Sequence, residues 1–180
     1  MKPLRWILLA AGYAGTVLAS SGGTSFAQMA SEAMEDDARR AKIEAMYRDY
    51  KKEFPGVQDI APAEASQLLD AGRALFVDVR EPKEQEVSML PGAVTEKEFL
   101  SRPGGYGDMV VIGYCTISYR SGKLAEKLKE RGITMLNLKG GLLAWVHAGG
   151  KVYDQAGETR RIHVYGRKWD LGPKDYQPVW

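Results

Sequence analysis

Three short apolar runs, residues 75–79, 109–114 and 133–138, alternate with segments of helical spacing. Strands that are apolar on both faces need cover on both faces, and a parallel sheet with helices on either side supplies it. The runs therefore predict an α/β fold built on a small, doubly wound parallel sheet. Residues 62–70 read as a helix with Ala65, Leu68 and Leu69 inward and Gly72 behind it. Residues 95–100 read as a second helix, and the Gly- and Pro-rich stretch 101–107 as loop. Residues 122–130 place Leu124, Ala125 and Leu128 on one face and stop at Gly132. A last helix, 142–148, is bracketed by Gly140-Gly141 and Gly149-Gly150.

The flanks have a different texture. Residues 1–27 carry Lys2 and Arg5, then an apolar run from Trp6 to Leu18, then Ser25-Phe26-Ala27. That is the pattern of a secretory signal cut after Ala27. The apolar run is short of the roughly 20 residues that a bilayer crossing needs. The expected location is outside the cytoplasm, in a periplasm, with a membrane anchor as the alternative if the segment stays uncleaved. Residues 31–53 predict one helix capped by Ser31, with an apolar stripe of Ala38, Ile43, Met46, Tyr47 and Tyr50. We read it as a packing or spacer helix. Residues 161–165 read as a strand. The rest of 154–180 reads as an extension that wraps the domain, with Trp169, Tyr176 and Trp180 as anchors. The other reading of this extension is a wall of a substrate pocket.

Charge narrows the partners. The chain holds 25 Lys and Arg against 23 Asp and Glu. Two of the basic residues sit in the leader, so the remainder is balanced. No field of one sign survives to recruit nucleic acid or an anionic membrane.

The single cysteine, Cys115, cannot form an internal disulfide. It directly follows the most apolar strand and precedes a helix, where sites in parallel sheets lie. A tight strand-to-helix turn gathers backbone N–H groups into an anion-binding nest, and the helix adds its positive end. A sulfur there is favoured as a thiolate, and a persulfide is held as an anion in the same way. Arg120 adds a guanidinium able to grip a sulfonate-like group. Among the bland alternatives, Cys115 is a buried structural thiol. His147 and His163 stand at no metal-ligand spacing. We read His147 as a cation at a helix C-terminus and His163 as a strand residue, and expect no metal or cofactor.

The segment Tyr114-Cys115-Thr116-Ile117-Ser118-Tyr119-Arg120-Ser121-Gly122 resembles the active-site loop of the rhodanese-like sulfurtransferases, with four residues between Cys and Arg. Three further segments resemble the family in the same order: Asp78-Val79-Arg80-Glu81, Leu90-Pro91-Gly92-Ala93, and Gly140-Gly141 through Ala144-Trp145 to Ala148-Gly149-Gly150. The resemblance covers residues 58–153, with 28–57 as a helical extension before it. It implies a rhodanese-like fold and a single-domain sulfurtransferase. Cys115 would take the outer sulfur of thiosulfate or a persulfide and pass it to cyanide, a thiol or a thioredoxin-like protein. Arg120 would orient the donor, with Thr116, Ile117, Ser118 and Tyr119 supplying loop N–H groups. Asp78 and Arg80 would be structural supports. The chain departs from the family at Ser118, where glycine is common, and at Met89, where histidine is usual. A positive φ at Ser118 would cost about 1 kcal/mol or more. One cation in the loop argues against thiosulfate in particular. The competing readings are a non-enzymatic sulfur carrier or partner-binding module and, more remotely, a phosphatase or arsenate reductase, whose related loop is one residue longer.

Overall fold

The computed structural model describes residues 25–180. All but the last three residues of the expected signal segment lie outside the described residues. Five strands form one parallel sheet in the order β1-β5-β4-β2-β3: β1 (Asp59–Ile60), β2 (Ala74–Asp78), β3 (Val94–Thr95), β4 (Val110–Tyr114) and β5 (Leu136–Leu138). The sequence pattern marks β2, β4 and β5. It misses β1 and β3, because two residues carry no periodicity.

The helices are α1 (Phe26–Lys51), α2 (Pro62–Asp70), α3 (Pro82–Gln85), α4 (Glu96–Ser101), α5 (Tyr119–Glu130) and α6 (Gly141–His147). Alternate residues of the strands enter two separate cores. Phe76 and Ile112 pack with Ala65, Leu142, Leu143 and Trp145 on one face. Leu75 and Val77 pack with Phe99, Ala125 and Leu128 on the other. So α2 and α6 cover one face and α4 and α5 the other, as strands apolar on both sides require.

Helix α1 crosses the sheet edge and touches both α5 and α6. Ile43 feeds the first core and Tyr47 the second. Its N-cap is Ser25, whose hydroxyl accepts the Gln28 N–H at 3.2 Å. The expected cap, Ser31, lies inside the helix. Alanine-rich sequence before Ser31 continues the helix readily, so propensity overrides the cap signal there. No helix among the described residues is long and apolar enough to cross a membrane.

Beyond α6 the chain forms a hairpin of β6 (Val152–Asp154) and β7 (Gly157–Thr159), then a parallel pair, β8 (Arg161–His163) and β9 (Gln177–Val179). The extension is fastened by Ile162, Val164 and Leu171, all buried in the first core. Trp169 and Tyr176 are half-buried against that core, but Trp180 is 55% exposed and anchors little. His147, expected as a cation at a helix C-terminus, donates from Nε2 to the Leu171 carbonyl at 2.7 Å. Burial lowers its pKa, so it serves as a neutral tie between α6 and the extension.

A buried network closes the C-terminal end of β2. Arg80 donates from Nη2 to Asp78 Oδ2 at 2.6 Å and from Nε to Oδ1 at 2.9 Å, with both side chains fully buried. The Tyr114 hydroxyl donates to Asp78 Oδ2 at 2.5 Å and accepts the Leu90 N–H at 3.1 Å. Arg80 also donates to the Ser88 carbonyl at 2.6 Å. Asp78 and Arg80 thus form a buried ion pair at the end of β2. Asp78→Ala should strand a buried guanidinium and cost about 3–5 kcal/mol. Urea unfolding checks this, and a loss under 1 kcal/mol would contradict it.

Candidate active site

The loop Cys115–Ser118 joins β4 to α5 and is shaped by what lies beneath it. The Leu142 N–H donates to the Cys115 carbonyl at 2.9 Å, and the Leu143 N–H to the Thr116 carbonyl at 3.2 Å. Trans peptide planes oppose C=O and N–H. The N–H groups of Thr116 and Ile117 therefore point away from α6. Those of Ser118, Tyr119 and Arg120 follow, the last two in the first turn of α5, where no intrahelical acceptor exists. Among the described residues, none of these five N–H groups has a backbone or side-chain acceptor. Successive unpaired N–H groups at a helix start make a concavity suited to an anion.

Gly141 is what lets α6 approach so closely. Its φ is +60°, and a Cβ there would fall 2.3 Å from the Cys115 carbonyl oxygen. Ser118 takes the left-handed conformation, φ 71° and ψ 13°, and so caps α5. That conformation lets α5 begin at Tyr119, ahead of the expected residue 122. The Ser118 hydroxyl donates to the Leu138 carbonyl. Its own carbonyl accepts Asn137 Nδ2 at 3.1 Å. Asn137 Oδ1 in turn accepts the Ser121 hydroxyl at 2.6 Å. These bonds offset the roughly 1–2 kcal/mol cost of left-handed serine. Asn137, on β5, is a loop support that sequence reading missed. A lone Asn in an apolar run is its only signal.

Cys115 is 2% exposed, yet it lines an open cleft of about 490 Å³. Thr116, Ile117, Tyr119 and Arg120 line the same cleft, so the structure brings the predicted site residues together. Ser118 lies below it, fully buried. Two further walls come from the flanks: Tyr50 at the end of α1 with Glu53 just beyond it, and Tyr165 and Trp169 from the C-terminal extension. The extension thus both wraps the domain and walls the cleft.

Arg120, expected to orient a donor, has a carboxylate partner within the protein. It grips Glu84 with Nη1 to Oε2 at 2.6 Å and Nη2 to Oε1 at 2.8 Å. It also lies over the Tyr165 ring, 5.3 Å from the centroid. Burial works against its charge, but the bonds to Glu84 and the pull of the Cys115 sulfur raise its pKa further. Glu84 is fully buried on α3, the second residue missed from sequence. Burial raises its pKa, but hydrogen bonds from Arg120 and the Glu81 backbone N–H prevail and hold it below the ordinary 4.5. His163 Nδ1 lies 4.0 Å from Glu84 Oε1 but accepts the Tyr165 N–H at 3.1 Å. It is a spacer rather than an ion-pair partner, and burial lowers its pKa. Among the described residues, no cluster of His, Cys, Asp and Glu could hold a metal ion.

Sheet topology agrees with this location. Connections leave β2 and β4 in opposite directions, β2 toward β3 and β4 toward β5. Such a switch opens a crevice at the strand C-terminal ends, where ligands bind in open α/β sheets. Cys115 follows β4, and Glu84 follows β2 across that crevice.

Glu84 has a depressed folded pKa, so it stabilises the fold above the ordinary glutamate range. That contribution is lost as pH falls through the folded pKa. Melting temperature followed from pH 6 down to about pH 3 should drop more steeply in the natural chain than in Glu84→Gln. Parallel curves would show that the Arg120–Glu84 pair carries no such linkage.

Residues 61–148 match the family model of the rhodanese-like domain. An uncharacterized protein of Synechocystis is 37% identical over 97 residues, covering 50% of this chain. The chain spans about half of that relative, 52% of its length. A putative sulfurtransferase of Bacillus subtilis, YtwF, is 29% identical over 98 residues, covering 49% of this chain and 90% of its own. Among solved structures, the BH2092 protein of Bacillus halodurans superposes with a TM-score of 0.48 at 23% identity, covering 63% of this chain and 87% of that one. Residues 61–148 therefore form a rhodanese-like domain, a family some of whose members are sulfurtransferases.

Proposed function

We propose that the protein is an exported sulfurtransferase that carries sulfur as a persulfide on Cys115. One observation carries the reading: the only cysteine sits in a loop whose five successive N–H groups have no acceptor among the described residues, beside a guanidinium and at the floor of an open cleft. In the first half-reaction the Cys115 thiolate attacks the outer sulfur of a sulfane donor, thiosulfate or a persulfide. A new S–S bond forms at Cys115. The donor's S–S bond breaks, and its electron pair leaves as sulfite or a thiolate. In the second half, cyanide, a small thiol or a thioredoxin-like protein attacks that outer sulfur and frees the Cys115 thiolate. The reaction is a covalent double displacement.

The N–H groups of Thr116 to Arg120 would hold the terminal persulfide anion, a preorganised arrangement that needs no rearrangement as charge moves outward. Arg120, fixed by Glu84, would act as a stationary positive charge beside the sulfur rather than as a clamp closing on the donor. Asp78, Arg80 and Ser118 would keep the frame in place. Export rests on the sequence of residues 1–27 and their cleavage after Ala27.

Intact-mass measurement after treatment with sulfane donors tests this. One added sulfur should be found on the natural chain, be removed by cyanide, and be absent from Cys115→Ser. Arg120→Met should slow persulfide formation by about 10²-fold, the usual scale for removing one preorganised electrostatic contact. Absence of the added sulfur with every donor tried would overturn the proposal.

A further inference from the structure

The cleft above Cys115 is larger and more aromatic than thiosulfate needs. Its volume of about 490 Å³ sits within the roughly 300–1,000 Å³ of sites for organic ligands. Tyr50, Tyr119, Tyr165 and Trp169 line it, with Ile117. Tyr165 and Trp169 meet edge to face at 5.2 Å between centroids, and so do Tyr50 and Tyr119 at 5.2 Å. Three of these four aromatics lie outside residues 61–148, on segments added to the family domain. Tyr165 adopts a left-handed φ of 69°, fixed by the bond from its N–H to His163. A bulky aromatic residue in that conformation is strained, and the strain is retained where it shapes this wall.

Charge points the same way. Among the described residues Arg120 is the one cation lining the cleft, and its fork is spent on buried Glu84. Glu53 also lines the cleft, and its partner there is the neutral Tyr119 hydroxyl at 2.8 Å. Above the loop N–H groups a small dianion meets one paired cation and one carboxylate, whereas an apolar, planar body meets four rings.

Resting on the reading of Cys115 as a sulfur carrier, we infer that the donor is an organic sulfane compound with an aromatic or similarly flat apolar body, seated against Trp169 and Tyr165. The transfer step keeps its balance. The Cys115 thiolate bonds to the donor's outer sulfur, the donor S–S bond breaks, and the pair leaves on the organic fragment as a thiolate or sulfinate.

Thiosulfate, methanethiosulfonate and benzenethiosulfonate form a matched probe series, because each gives up one terminal sulfur and releases sulfite or a sulfinate. The readout is kcat/KM for thiocyanate formation by the full chain with cyanide as acceptor. Each benzene-to-methane ratio is divided by the ratio for attack by a free small thiolate, which removes leaving-group chemistry. The expected corrected ratio is about tenfold or more in favour of the benzene compound, the scale of one aromatic stacking contact. Trp169→Ala should bring it close to one, and Trp169→Phe should restore most of it. Circular dichroism of both variants separates loss of the wall from loss of the fold. A corrected ratio near one in the natural chain, or one unmoved by Trp169→Ala and Tyr165→Ala, while Cys115 still gains sulfur, would overturn this inference alone. No sulfur on Cys115 from any of the three would overturn the carrier reading and this one with it.

Discussion

The docking of α6 beneath the cysteine loop is the contact on which the rest of the site depends. Two N–H groups at the start of α6 take the carbonyls of Cys115 and Thr116. Because a trans peptide cannot turn its carbonyl one way without turning the next N–H the other, this single contact also aims the anion-binding groups. It requires Gly141 twice over, for its positive φ and for the absent Cβ. The Gly-Gly segment at the far end of the domain and the loop at its centre are therefore one device. The first supplies the floor against which the second is folded.

Two charge pairs stand at the crevice and differ in kind. Asp78 and Arg80 are sealed from solvent and tied to Tyr114 and the Ser88 carbonyl. A pair so enclosed gains little net stability over an apolar replacement, but losing one partner is costly. It acts as a fixed joint between β2, β4 and the segment leading to Leu90. The Arg120–Glu84 pair is half open, with the arginine side chain 30% exposed at the cleft. There the same chemistry leaves one face of the guanidinium available as field while removing its freedom to swing. The carboxylate also accepts the Glu81 N–H at 2.9 Å. The start of α3 is thereby linked to the charge environment of the sulfur.

Much of this arrangement is legible in the order of residues. The alternation of apolar runs with helical segments marks the three longer strands, and the strand–Cys–helix sequence marks the site. Glu84 and Asn137 are not legible in that way. Each acts through a contact between elements distant in sequence, Glu84 with Arg120 and Asn137 with Ser118 and Ser121. Neither leaves a local pattern, since a glutamate early in a helix is also what a cap demands. Ser118 is the converse case. Its departure from glycine signals strain, and only the three-dimensional neighbours show how its hydroxyl and carbonyl offset that strain. The flanks mislead for a related reason. Trp180 has the composition of an anchor but lies at the surface, while Ile162, Val164 and Leu171 are the buried fasteners.

The division of labour between domain and flanks follows from this geometry. A parallel sheet supplies a rigid frame, and the loop after β4 is held on it by α6 and by Asn137, whose Nδ2 also donates to the Tyr47 hydroxyl of α1 at 3.2 Å. What the frame does not supply is enclosure. The loop lies at the end of the sheet, open on the side facing away from α6. Tyr50 reaches it from the end of a 26-residue helix, and Trp169 from a segment fastened by the neutral His147 bond to Leu171 and the burial of Leu171 itself. In the proposed transfer, the loop would act on the sulfur and the aromatic walls on the body of the donor. The flanks and the loop share the two cores, through Ile43, Ile162, Val164 and Leu171 in one and Tyr47 in the other, so the wall rings are held at a fixed place over the sulfur.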